Sequence, residues 1–111
     1  MYWSKMKPTE KFEQMWSEHG SVDYVKEHKC IPGRRFRFDY AWPEFLLLVE
    51  IQGFGYGHQS VVALVKDCEK ARLATLEGWT VMSFTTKCVS SRDRCLQAVE
   101  QVNDVLAQRI L

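Results

Sequence analysis

The chain has 111 residues, enough for one domain with one core. Apolar residues make up 46% and charged residues 26%, an ordinary globular balance, and no apolar run approaches the length of a membrane span. The net charge of +1 announces neither nucleic acid nor an acidic partner, so any such function must lie in how the charges are distributed.

The start, MYWSKMKPTEK, lacks the apolar stretch of a signal peptide, and cytoplasmic residence without a membrane partner is the expectation. A helix is predicted over Pro8–His19. Pro8 suits the first helical position, Phe12, Met15, Trp16 and His19 form one stripe, and Gly20 ends it. Strands are predicted at about 24–30, 34–41 and 45–52, with a turn at Pro32-Gly33 and Pro43 closing the second. A glycine-rich loop, GFGYGH, follows. A long helix is predicted over 60–77, with Val61, Leu64, Val65, Cys68, Ala71, Leu73 and Leu76 as a broad apolar face and Gly78 as its stop. A fourth strand at 80–84 precedes a last helix, capped by Ser90 with Asp93, whose apolar side carries Cys95, Val99, Val102, Val105, Leu106 and Ile110. The expected fold is α/β in the order α-β-β-β-α-β-α, a central mixed sheet flanked by helices, as one domain over 1–111.

The third strand, LLLVEIQ, is almost wholly apolar and reads as a buried central strand. An ionised Glu50 inside it is costly unless a cation or a hydrogen-bond network compensates it. Glu50 and Gln52 are two apart and project from one face, and Asp39 ends the preceding strand, where a hairpin brings it alongside. Two carboxylates and an amide converging on one point form the layout of a divalent-cation site. Taken alone, Asp39 also reads as a turn-capping residue, and Gln52 as an amide bonding the glycine loop.

From Phe38 to Val65 there is no Lys or Arg, while Asp39, Glu44 and Glu50 are present. Lys26, Lys29, Arg34, Arg35 and Arg37 precede this acidic centre, and Lys66, Lys70 and Arg72 follow it. A cation site ringed by phosphate-attracting groups has this distribution, as does a normally solvated surface of mixed sign. Phe54 and Tyr56, beside the site, are candidates for stacking on bases. Cys30, Cys68, Cys88 and Cys95 fit no zinc pattern with the three histidines and are expected to be reduced and mostly buried.

The segments RRFRFDYAWPE, LLVEIQG, KDCEKARLATLEGW and VMSFT together resemble the PD-(D/E)XK nuclease superfamily, with its restriction-endonuclease-like core. They are closest in kind to small phage and bacterial endonuclease-like domains related to very-short-patch-repair nucleases. The resemblance implies Mg²⁺, with Mn²⁺ as a substitute, held by Asp39, Glu50 and the Ile51 carbonyl. It implies a glutamate of the first helix reaching the site through water, with Glu10 the better positional match and Glu13 the alternative. It also places His58, Asp67 and Lys70 at polar positions of the subgroup, Lys70 near the phosphate.

The superfamily's usual lysine is replaced by Gln52, and its proline is absent because Phe38 precedes Asp39. A neutral amide positions water but accepts protons poorly, so water activation would fall to the metal. The catalytic set is then Asp39, Glu50, Gln52 and Glu10, and the nucleic-acid contacts are Arg35, Arg37, His58, Lys66 and Lys70.

Three readings follow. The first is a metal-dependent DNA endonuclease. The second is a catalytically inactive nucleic-acid-binding or accessory protein on the same fold. The third is an unrelated α/β interaction domain. With no added reading domain in 111 residues, specificity is expected from substrate structure or from a protein partner. One site cuts one strand, so nicking is expected of a monomer and paired cuts of a homodimer.

Overall fold

A computed structural model describes residues 2–53 and 61–110. Helix α1 is Pro8–His19, strands β1, β2 and β3 are Val25–His28, Phe38–Trp42 and Leu47–Gln52, helix α2 is Val61–Leu76, strand β4 is Thr80–Thr85 and helix α3 is Arg92–Arg109. The four strands form one mixed sheet in the order β1-β2-β3-β4. β2 pairs antiparallel with both β1 and β3, and β4 joins β3 in parallel after the α2 crossover. The predicted order and the mixed α/β class both hold.

Side chains alternate across each strand and divide the core in two. Tyr40, Trp42, Leu47, Val49, Ile51 and Phe84 face α1 and α3, where they meet Phe12, Met15, Trp16, Cys95, Val99, Val102 and Leu106. On the other face Ala41, Leu48 and Val81 meet Leu73 and Ala74 of α2. Two indole N–H groups, from Trp16 and Trp42, donate to the Val22 carbonyl at 3.0 and 2.8 Å, which fixes the chain leaving α1 over the aromatic core.

Local chemistry explains the boundaries. Pro8 opens α1, and the Lys7 N–H donates to Glu10 at 2.8 Å. Gly20 has an ordinary φ of −69°, so left-handed geometry is not what selects glycine there; an added Cβ would lie 2.2 Å from the Trp16 ring. The predicted second and third strands are each shorter at their starts. Pro43–Phe45 forms a 3-10 turn that ends at Leu46, whose φ of 50° is left-handed. Arg109 secures that turn from the end of α3, donating to the Phe45 and Leu46 carbonyls at 2.6 and 3.1 Å. Ser91 rather than Ser90 caps α3, accepting from the Arg94 N–H at 3.2 Å; Ser90 donates to the Lys87 carbonyl instead.

Two expectations fail on the α2 side. The broad apolar face of α2 points outward: Val61, Leu64, Val65 and Leu76 are all exposed, because the helix meets the sheet through Leu73 and Ala74. Of the cysteines, Cys95 is buried, Cys30 and Cys88 are half-buried, and Cys68 is exposed on that same outward face; all four are free thiols.

Candidate active site

The β2–β3 ladder pairs Tyr40 with Val49 and runs back to Trp42 and Leu47. One step beyond it stand Asp39 and Glu50, opposite one another where the strands part. Asp39 takes over the missing rung: its Oδ2 accepts the Ile51 N–H at 2.8 Å. The N–H and C=O of one strand residue point to the same edge, so the Ile51 carbonyl also faces the parted side.

Glu50 and Gln52 lie on the α2 face of β3, half-buried, alternating with the buried residues Val49 and Ile51. From α2, Lys70 reaches down to Glu50. Its Nζ donates to both carboxylate oxygens at 2.7 Å. The two side chains are only 12% and 16% exposed, and the ammonium sits 4.4 Å from the centre of the Phe38 ring. Burial pushes the Glu50 carboxyl above the usual carboxylate range, the Lys70 ammonium pulls it back, and the charges of Asp39 and Asp67 add to the upward push. The neighbour of Lys70 in the helix, Glu69, pairs with Arg34 instead.

The first helix presents a different glutamate from the one expected. Glu10 is exposed, accepts the Lys7 N–H, and lines an open cavity of about 510 Å³ that Glu13 also lines, with Trp3, Met6, Gln14 and Arg92. Glu13 accepts the Tyr40 hydroxyl at 2.8 Å and pairs with Lys26 at 3.1 Å. With Asp39 it lines a small cavity of about 80 Å³. Sequence position alone separates these two glutamates by less than one helical turn, and the packing of α1 decides between them.

Arg35 and Arg37 are exposed on the approach to β2, with Arg37 3.9 Å from Glu27. Lys66 and Asp67 are exposed about one turn before Lys70. His58, Phe54 and Tyr56 lie outside the described residues. Sequence reasoning missed Ser83 and Thr85. The parallel register sets them beside Glu50 and Gln52, on the same face of the sheet. Their alternation in VMSFT is visible, but not which strand they join.

In fold, the chain is similar to the catalytic domain of the homing endonuclease I-Bth0305I. The two structures match with a TM-score of 0.74, over 96% of this chain and 100% of that one, at 15% sequence identity. No family model matches the sequence, and no curated protein matches it. At that identity the likeness is one of fold, and the site rests on its own geometry.

Among the described residues no three of His, Cys, Asp and Glu gather as a metal cage. What the site offers is two carboxylates and one carbonyl, hard oxygen donors too few to enclose an ion. That set suits a divalent cation that keeps several waters. The ammonium already between Glu50 and α2 marks the position as one that demands positive charge.

Proposed function

We propose that this chain is a Mg²⁺-dependent endonuclease that hydrolyses DNA phosphodiester bonds, with Mn²⁺ able to substitute. The observation that carries the reading is the facing pair Asp39 and Glu50 at the open end of the β2–β3 ladder. The fold's similarity to an endonuclease catalytic domain supports it. A divalent cation held by Asp39, Glu50 and the Ile51 carbonyl would supply charge neutralisation and water activation at the scissile phosphate.

The chain's own residues divide the remaining work. Asp39 is oriented by the Ile51 N–H, so its second oxygen is directed rather than free to rotate. Gln52, on the same strand face as Glu50, orients the attacking water through its amide. Of the two first-helix glutamates, Glu13 shares a cavity with Asp39, which supports it over Glu10 as the residue that holds water there. Arg35, Arg37, Lys66 and Lys70, with His58, bind the phosphate backbone. The partner is DNA, with a protein supplying specificity or a second copy supplying paired cuts.

Gln52 favours a second reading, a nucleic-acid-binding protein that does not cleave, because an amide accepts protons poorly. A panel of labelled duplex, mismatched, branched and single-stranded DNA, and RNA, incubated with Mg²⁺ and Mn²⁺, separates the two. Cleavage that Asp39→Asn abolishes supports the endonuclease, and binding without cleavage supports the second. Neutralising Arg35 or Lys66 should lower the salt slope of binding by about one unit per lost phosphate contact.

A further inference from the structure

We propose that Lys70 is a tethered cation that competes with the divalent ion for Glu50, and that filling the site releases its ammonium to the substrate phosphate. This rests on the nuclease reading above and adds an exchange to it.

Among the ion pairs of the described residues, Lys70–Glu50 is the one in which both side chains are less than a fifth exposed. The contact is bidentate, with Nζ at 2.7 Å from Oε1 and from Oε2. The edge of the carboxylate that a hard cation would use is therefore taken. An ion entering between Asp39 and Glu50 has to move the ammonium away, since two cations cannot share one carboxylate edge at contact distance without strong repulsion.

The ammonium has somewhere to go. It is carried on a flexible four-carbon stem from α2, and the contact it already makes with the Phe38 ring, 4.4 Å from the ring centre, does not depend on Glu50. The charge count also favours a swing rather than an exit. Asp39 and Glu50 carry two negative charges against one ammonium, and the exposed Asp67 on α2 adds a third. A divalent ion therefore finds the site undercompensated even with Lys70 nearby. Once off Glu50, Lys70 stands about one helical turn from the exposed Lys66, so the two ammonium groups form one edge facing an incoming phosphate.

The exchange predicts a split that an ordinary structural ion pair does not. Mn²⁺ binding to the full chain is measured by calorimetry, and single-turnover DNA cleavage at saturating Mn²⁺. Lys70→Met keeps the stem over Phe38 and removes the competitor. It should bind Mn²⁺ about tenfold more tightly or better, yet cleave about a hundredfold more slowly for loss of a cationic phosphate contact. Lys70→Arg keeps the charge at Glu50 and should show no gain in Mn²⁺ affinity.

Should Lys70→Met fail to fold, judged by circular dichroism, Lys70→Gln takes its place with the same expectation. A folded neutral variant that binds Mn²⁺ no more tightly than the wild type overturns the exchange while leaving the nuclease reading standing. No Mn²⁺ binding by wild type or variants overturns both. Tighter Mn²⁺ binding with undiminished cleavage refutes the phosphate half of the proposal.

Discussion

The two faces of the sheet are built differently. Toward α1 and α3 it presents Tyr40, Trp42, Leu47, Val49 and Ile51, met by the aromatic pairs Phe12–Tyr40 and Trp16–Trp42, whose ring centres lie 4.8 and 5.0 Å apart. Toward α2 it presents Phe38, Ala41 and Leu48 but also Glu50, Gln52 and Ser83, with Asp39 at the strand edge beside them, and α2 returns two packing residues and one lysine. Each large side chain fully buried on the first face contributes about 1.5–3 kcal/mol. The second face has few such contacts, and it is there that half-buried charge is found. Close packing on one side thus lets the other hold an arrangement that is poor for stability.

The widest separation between the faces should appear in activity. Asp39→Asn keeps an oxygen for the Ile51 N–H and removes the charge, so the fold should persist while cleavage falls by about a thousandfold. Glu50→Ala should be equally inactive, but it strands the Lys70 ammonium in a half-buried position and should also lower the melting temperature. An Asp39→Asn protein that still cuts at the wild-type rate would remove Asp39 from the chemistry and leave the proposed site without one of its two carboxylates.

The α1/α3 face should answer in stability. Trp42 is fully buried, packs at a tilt against Trp16, and donates to the Val22 carbonyl at 2.8 Å. Trp42→Ala should cost about 3–5 kcal/mol in denaturant unfolding, through cavity and lost packing together. A cost below about 1 kcal/mol would show that the dense face is not where stability resides.

Gln52 tests the boundary between chemistry and packing. If its amide orients water, Gln52→Ala should slow cleavage by about 10 to 1000-fold, and Gln52→Lys should be tolerated. Cleavage by Gln52→Ala at the wild-type rate would make the amide a structural group at the end of β3.

The first face was legible in the sequence and much of the second was not. Phe12, Met15 and Trp16 repeat at helical spacing, and LLLVEIQ declares a buried strand by its run of apolar residues, so both could be placed without knowing the fold. Glu50 stood out for the same reason, as a carboxylate among apolar neighbours. Periodicity, however, fixes which residues share a helix face, not which way that face turns over a sheet. For that reason the Val61, Leu64, Val65 stripe reads as an apolar packing face although it turns outward, and periodicity does not join Lys70 to Glu50. Glu10 and Glu13 are one turn apart, and the choice between them depends on how α1 sits against Tyr40. The left-handed φ of Glu27 within β1 has no signal in its residue type.

The smallest effect is the sharpest test of the comparison. Leu64 lies on α2 with 56% of its surface exposed, in line with the exposed Val61 and Val65. Read as core, Leu64→Ala would cost about 2–5 kcal/mol. Read as surface, it forfeits little burial, and alanine has the better helix propensity, so the change should stay within about 0.5 kcal/mol of zero. Denaturant unfolding of Leu64→Ala beside Leu106→Ala, which is fully buried in α3, decides between these on one protein. Equal costs would mean that α2 packs as tightly as α3 and that the asymmetry between the faces is wrong. A large cost for Leu106 and almost none for Leu64 would leave α2 held by Leu73, Ala74 and the Lys70–Glu50 pair. In that case the ion pair at the centre of the site is also one of the few ties holding the helix above it.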